Sequence, residues 1–291
     1  MLKFSISDNL FQFKSLLTLI ARHGESVRFK ITKEGLNFEG TDRASYSYLF
    51  IIFKPGMFSR FETDKEFSAW FDSQQFIKLM KLVDTIPIDC EIDNNYFRLK
   101  LADKGKEKMA SLAQIDPGKV EDIPTLHFDN FDLQLKMNVA TLRAVLKDVE
   151  NLGGHEVYLS WSGEGLKIET KMELSQTNFT VMLKKQADSE VDFSKIGAGS
   201  ASFRMELLEN IAWTELGNIT FSIMKTDSPL FIENTSDVFS LRFVVAPFIT
   251  ENEGREDSWE KNIPMEHETQ PVESKEGGIG DGKSEWKSVD N

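Results

Sequence analysis

Two short stretches, 130 residues apart, constrain this chain more than its composition does. TKEGLNFEG spans 32–40 and SGEGLKIET spans 162–170; both carry Glu-Gly-Leu, one variable residue, an apolar residue and Glu. Each follows an amphipathic segment and a strand-like run. These are SDNLFQFKSLLTLIARHG then SVRFKIT in the first copy, and NVATLRAVLKDVENLGG then EVYLSW in the second. A further unit repeats with nearly the same period. FDSQQFIKLMKLVD and IDCEIDNNYFRLKLAD, from Phe71, pair with FRMELLENIAWTELG and NITFSIMKTDSPLFIEN, from Phe203. The chain therefore reads as four copies of helix, hairpin and further strands, set in two similar domains.

Helices follow from period. Leu10, Phe13, Leu16, Leu17 and Ile20 form one apolar stripe, with Asp8 as N-cap and Gly24 past the end. Phe76, Ile77, Met80 and Val83 define the second helix. Leu142, Val145, Leu146, Val149 and Leu152 define the third, with Gly153 just beyond, and Leu207, Leu208, Ile211 and Ala212 the fourth. Elsewhere alternation dominates, as in Phe179, Val181 and Leu183. Four helices and many strands predict an α+β fold, two helices per domain packed on antiparallel sheets. The expected boundaries are a first domain over 1–116, a connecting loop over 117–128, a second domain over 129–250 and a disordered acidic tail over 251–291. The tail has too few aliphatics to offset its ordering entropy.

Net charge is −13 over 291 residues, which taken whole argues against nucleic acid. From Glu251 onward, however, 12 acidic and 5 basic residues account for −7, so the body carries 35 acidic and 29 basic, or −6. Such a body can hold one concentrated basic face. The outward ridges of three helices supply it: Lys14, Thr18 and Arg22 on the first, Lys78 and Lys81 beside Gln74 on the second, and Arg143, Lys147 and Asn151 on the third. The fourth shows Glu206, Asn210 and Thr214 instead. Exposed helix faces often carry Lys and Arg, so these ridges alone fit a merely solvated surface equally well.

Other classes find little support. No apolar run approaches 18 residues, so no membrane span or membrane partner is expected. The N-terminal MLKFSISDNLF lacks the regions of a secretory signal, and the single cysteine, Cys90, forbids an intrachain disulfide. Both suit an intracellular location. The four histidines show no metal-ligand spacing, so no metal and no cofactor are expected. Asp89, Glu91 and Asp93 alternate with Ile88, Cys90 and Ile92, which reads as the wet face of a half-buried strand. GGIGDGKS, from Gly277 to Ser284, fits a phosphate-loop pattern, but no strand delivers it and no helix receives it. A nucleotidase using Lys283 stays as the enzymatic alternative. GAGS, from Gly197 to Ser200, reads as a loop that follows no strand.

The order and spacing of these pieces resemble the DNA sliding clamp family, of the proliferating cell nuclear antigen type. FKSLLTLIARHGESVRFKITKEGLNFEGTDRASYSYL is similar to the family's first helix, strand and hairpin, with Asp42 at the hairpin aspartate. FIKLMKLV resembles its second helix, and LRAVLKDVENLGGHEVYLSWSGEGLKIET resembles the start of its second domain. DSPLFIEN followed by LRFVVAPFIT resembles its final hairpin, which ends in Ala-Pro. The likeness covers all but the tail.

The resemblance implies a non-enzymatic, ring-forming protein without catalytic residues. Three chains, identical or paralogous, would encircle duplex DNA without reading its sequence. By position, Lys14, Lys78, Lys81 and Lys147 match the family's basic inner wall, with Arg22 and Arg143 beside such positions. Ring closure falls to the strands near KEKMASLAQ and TNFTVMLKK. DNA polymerase, a clamp loader and other proteins carrying a short peptide motif would dock beneath the connecting segment IDPGKVEDIPTLHFDN. There Ile123 and Pro124 match the lining, and Pro229, Leu230, Val244, Ala246 and Pro247 the floor. Thr41 stands where the family often has Met, and Phe248 where a polar residue is common. Without the resemblance, Leu230 and Val244 read as ordinary strand core. A same-fold alternative is a specialised subunit, such as one used in damage signalling, that assembles only with different chains.

Overall fold

The glycines of the two Glu-Gly-Leu stretches explain why the chain repeats them. Gly35 and Gly165 have φ of +152° and +147°, and each opens a strand lying tight against the next. A Cβ at Gly35 would stand 2.2 Å from the Phe53 carbonyl oxygen, and one at Gly165 would stand 2.2 Å from that of Leu183. Each copy therefore needs a residue with no side chain at the same point of the same hairpin.

The protein is seen here as a computed structural model that describes residues 1–83, 88–103, 105–116, 130–171, 178–185, 191–212 and 214–249. All of these fall within one compact unit, Met1–Glu256; a separate unit, Asp257–Asn291, lies outside the described residues, as do the expected disordered tail and its phosphate-loop pattern. The first half runs β1 Leu2–Ile6, α1 Leu10–His23, β2 Ser26–Thr32, β3 Gly35–Thr41, β4 Ser47–Phe53, β5 Arg60–Thr63, β6 Phe67–Asp72, α2 Ser73–Met80, β7 Ile88–Ile92, β8 Tyr96–Asp103 and β9 Lys106–Ala113. The second runs β10 Leu133–Asn138, α3 Val139–Asn151, β11 Glu156–Ser162, β12 Gly165–Lys171, β13 Asn178–Lys184, β14 Val191–Ile196, β15 Gly199–Arg204, α4 Met205–Ala212, β16 Asn218–Ile223, β17 Leu230–Thr235 and β18 Phe239–Val245. The two series match element for element, so the fold is α+β with two helices and antiparallel sheets in each half.

Sheet order repeats as well. The first half holds β5-β1-β7-β8-β9, and the second repeats it as β14-β10-β16-β17-β18. The strips β4-β3-β2-β6 and β13-β12-β11-β15 are equivalent in the same way. One joint breaks the symmetry. β18 pairs with β4 along seven residues, Phe239↔Phe53 to Val245↔Ser47, fusing two strips into a nine-stranded sheet that spans both halves. Among the described residues, no strand pairs with the outer sides of the equivalent strands β9 and β13, which are sheet edges.

The helices cover this framework in the order α2-α1-α4-α3 and bury their apolar stripes in one continuous core. In the first half that core is aromatic: Phe13 of α1 meets Phe4, Phe53 and Phe58 with ring centroids 5.9, 5.2 and 6.1 Å away.

Some local expectations need correction. Asn9, not Asp8, holds the position before α1, and its side chain does not cap the helix; its Nδ2 donates to the carbonyls of Gly56 and Met57 at 3.2 and 3.3 Å. Leu152 is not part of the third stripe. It follows α3 and is exposed, because Gly153 (φ +77°) turns the chain there with its N–H on the Glu150 carbonyl at 2.8 Å. GAGS does follow a strand: it contains the two-residue turn between β14 and β15 and opens no helix. Asp89 and Glu91 line the outer side of β7 as expected, whereas Asp93 lies past its end in the turn to β8 and accepts from the N–H groups of Asn95 and Tyr96 at 2.7 and 2.8 Å. Arg98 donates to Glu91 at 2.9 Å and to Asp93 at 2.5 Å, while Cys90 points inward with its thiol pKa raised by burial. No cluster able to hold a metal occurs among the described residues.

Two tests follow from this packing. Gly165→Ala should cost roughly 2–4 kcal/mol in urea melts, whereas Gly163→Ala, with open space around its Cβ, should stay within about 0.5 kcal/mol. His23, at the end of α1, is buried against Phe243 with Nε2 3.2 Å from the Gly40 carbonyl oxygen. Burial lowers its pKa from 6.5 to about 4, so the unfolded chain binds the proton first as pH falls. Stability should drop by on the order of 3 kcal/mol between pH 6.5 and 4, and His23→Gln should flatten that segment of the melt-versus-pH curve.

Candidate nucleic-acid and partner interfaces

Among the six cations expected on the helix faces, two have work inside the protein. Lys14 of α1 donates through Nζ to the Val83 carbonyl, just past the end of α2. Arg143 of α3 reaches the end of α4. Its Nε donates to the Ala212 carbonyl at 2.7 Å, Nη2 to the Thr214 carbonyl at 2.6 Å and Nη1 to Glu215 at 3.1 Å. The two residues sit at equivalent points of the repeat and do the same thing, placing a cation on the negative end of the neighbouring helix. The sequence shows the charge but not this use, because the accepting carbonyls lie about 70 residues away in the chain.

The other four are exposed. Arg22 stands on the ridge of α1, Lys78 and Lys81 at the end of α2, and Lys147 on α3 one turn beyond Arg143. Phe11, Lys14, Thr18 and Arg22 line one wall of a groove between α1 and α4, about 260 Å³ in volume; Asn210, Thr214 and Glu215 line the other. The ridges of these two helices therefore open on a common face. Thr214, expected to be exposed there, is buried instead and donates to the Ile211 carbonyl at 2.6 Å. Across that face the charge changes sign. Glu206 and Glu209 of α4 gather there with Glu150 of α3, and burial together with the nearby Glu150 and Glu206 raises the pKa of Glu209. Phe11 was not anticipated, although its place one turn before Lys14 on the same ridge could have indicated it.

The expected partner pocket separates into two faces. Leu230 is wholly buried in the core beneath β17, so it forms no part of a floor. Its neighbour Phe231 pairs with Val244, Val244 with Tyr48 and Tyr48 with Thr41, which runs one row of side chains along the outer face of the sheet. Period 2 puts Leu230 and Phe231 on opposite faces of β17, and both are buried. Beyond β18, Ala246 donates its N–H to the Tyr46 carbonyl at 2.8 Å and Phe248 donates to the Ser202 carbonyl at 2.7 Å. Pro229, Ala246, Pro247 and Phe248 are half-buried along this path. Ile123 and Pro124 lie outside the described residues. Beside the path, the Arg204 guanidinium stands 4.6 Å from the Tyr46 ring and 5.3 Å from the Phe248 ring. Neither Tyr46 nor Arg204 was anticipated, because three separate elements build the stack.

This duplicated architecture has known counterparts. No family model matches the chain. A DNA polymerase sliding clamp of Methanosarcina mazei is 26% identical over 258 residues, covering 84% of this chain and 98% of the relative. The chain is thus similar to DNA sliding clamps over most of its length. Among solved clamps, the proliferating cellular nuclear antigen of Entamoeba histolytica superposes with a TM-score of 0.75 at 15% identity, over 85% of this chain and 99% of that one. A PCNA2–PCNA3 complex from Sulfolobus tokodaii gives 0.73 at 16% identity, over 84% and 98%. An Archaeoglobus clamp (A. fulgidus PCNA) bound to the C-terminal region of FEN-1 gives 0.72 at 16%, over 86% and 99%.

Cations that brace helices and cations that stand on exposed ridges should respond differently to removal. Arg143→Ala should cost roughly 2 kcal/mol in chemical denaturation, since it strips charged donors from the end of α4. Lys147→Ala should change stability by less than about 0.5 kcal/mol.

Proposed function

We propose that this chain is a DNA sliding clamp: it closes with further copies into a ring around duplex DNA, serves as a processivity factor for DNA polymerase, and offers a docking platform to replication and repair proteins. One observation carries this reading. The β4–β18 joint inside the chain has its repeat equivalent in β13 and β9, and both are open edges. Pairing β9 of one copy with β13 of the next would make the same joint between chains. Because the two edges are different strands, the contact runs head to tail, and it closes a ring when the rotation permits. Three copies would present six similar halves.

The mechanism needs no chemistry on a substrate, and we assign none. A polymerase bound to a closed ring leaves DNA only when the ring opens, so topology replaces affinity. Arg22, Lys78, Lys81 and Lys147 would face the phosphates, with Lys14 and Arg143 contributing charge from the helix ends they brace. Lysine suits a sliding contact because its ammonium is a point charge on a flexible stem that carries no sequence information. The carboxylates of α4 would keep the duplex from gripping one place. The Sulfolobus complex joins two different clamp proteins, which favours a second reading: closure with related chains. Mass in solution separates the two, with a threefold multiple for self-closure and a lone chain for the alternative.

Polymerase extension on a long primed circular template tests the main reading. The protein should lengthen products. Lys78→Glu with Lys147→Glu should abolish the gain at unchanged melting temperature and lower the logarithmic salt slope of DNA retention by roughly 0.9 per lysine. Equal product lengths with and without the protein would overturn it.

A further inference from the structure

The stack of Tyr46, Arg204 and Phe248 joins three elements: the β3–β4 turn, the end of β15 and the segment after β18. Guanidinium groups held between two aromatic rings are unusually well placed, because each ring restrains the plane of the fork while leaving its edge open. Here that edge has little competition. Among the described residues Arg204 forms one ion pair, to Glu206 at 3.8 Å, whose side chain is 72% exposed, so the pair is a weak, screened one. Arg204 itself keeps 40% of its side chain in solvent. Around it lies apolar surface: Tyr46 and Ile249 are exposed, and Pro247 is half-buried.

We propose that Arg204 is a specificity-determining residue of the docking surface, and that it selects partner peptides carrying an Asp or Glu beside their apolar anchors. The argument is charge complementarity. A cation fixed by two rings at the margin of an apolar patch matches a segment with hydrophobic side chains and one carboxylate, which the guanidinium can take up through two parallel N–H bonds. A neutral polar residue at that point would forgo the charge. The inference rests on the docking role in the reading above, and it adds which peptide chemistry that role prefers.

The test uses the full chain and a fluorescent synthetic peptide of the FEN-1 C-terminal region, read by anisotropy. Its non-apolar positions are replaced one at a time by Glu. One replacement should tighten binding by about fivefold, the upper range for a partly exposed ion pair. Arg204→Gln should erase that gain while holding the parent peptide within about twofold, which also reports that the surface is intact. If no Glu position gains, or if the gain persists in Arg204→Gln, the proposal is wrong while the clamp reading stands. Absence of binding by every peptide overturns the proposal together with the docking role. Failure of polymerase extension alone would instead count against the ring.

Discussion

Backbone pairing between β4 and β18 is the contact on which the rest of this molecule depends. A duplicated chain could fold as two independent beads. Here the last strand of the second half adds to a strand of the first, and a single sheet of nine strands crosses the boundary. That one ladder fixes the relative placement of the halves and so aligns α1 beside α4. It also leaves the two equivalent strands, β9 and β13, without partners. An exposed edge is ordinarily a hazard of uncontrolled association. In a repeat protein whose halves already use that joint, the open pair is where the proposed closure between copies would fall.

The helix layer shows how one set of residues serves both folding and charge. α1 and α3 each carry a cation that reaches over to the end of the second helix in its half. These ends need positive charge for the same reason that a duplex does: both present unsatisfied negative groups. Lys14 and Arg143 therefore tie the helices together and still add to the potential of the face. Lys78, Lys81 and Lys147 brace nothing of this kind in the geometry above. The first pair is tied to helix ends and the second set is not, although a sequence writes both as basic residues on a polar ridge.

The partner surface differs from the helix layer in being assembled from distant turns. Ser202 and Arg204 come from an edge strand, Tyr46 from a turn near the start of the chain, and Phe248 from the segment after the final strand. Two backbone hydrogen bonds hold that segment between the halves. An aromatic residue and an arginine brought together this way leave no local pattern.

Much of the architecture was legible in the sequence because it depends on local period. The repeat, the four helices, the alternating strands and the inward Cys90 all follow from spacing of 3.6 or 2 and from glycines whose backbone no other residue adopts comfortably. Errors fell where spacing is ambiguous by one residue or one turn: Asp8 against Asn9, and Leu152 and Thr214 past the ends of their helices. The sequence by itself determined that the chain is duplicated, where its apolar faces lie and which ridges are basic, since those properties belong to neighbours along the chain. Only the tertiary structure decided which strand edges close and which stay open, which cations are consumed by helix ends, and that Arg204 lies between two rings. Those depend on groups tens to hundreds of residues apart, and pairing at such range is set by the packing of the whole sheet and helix layer.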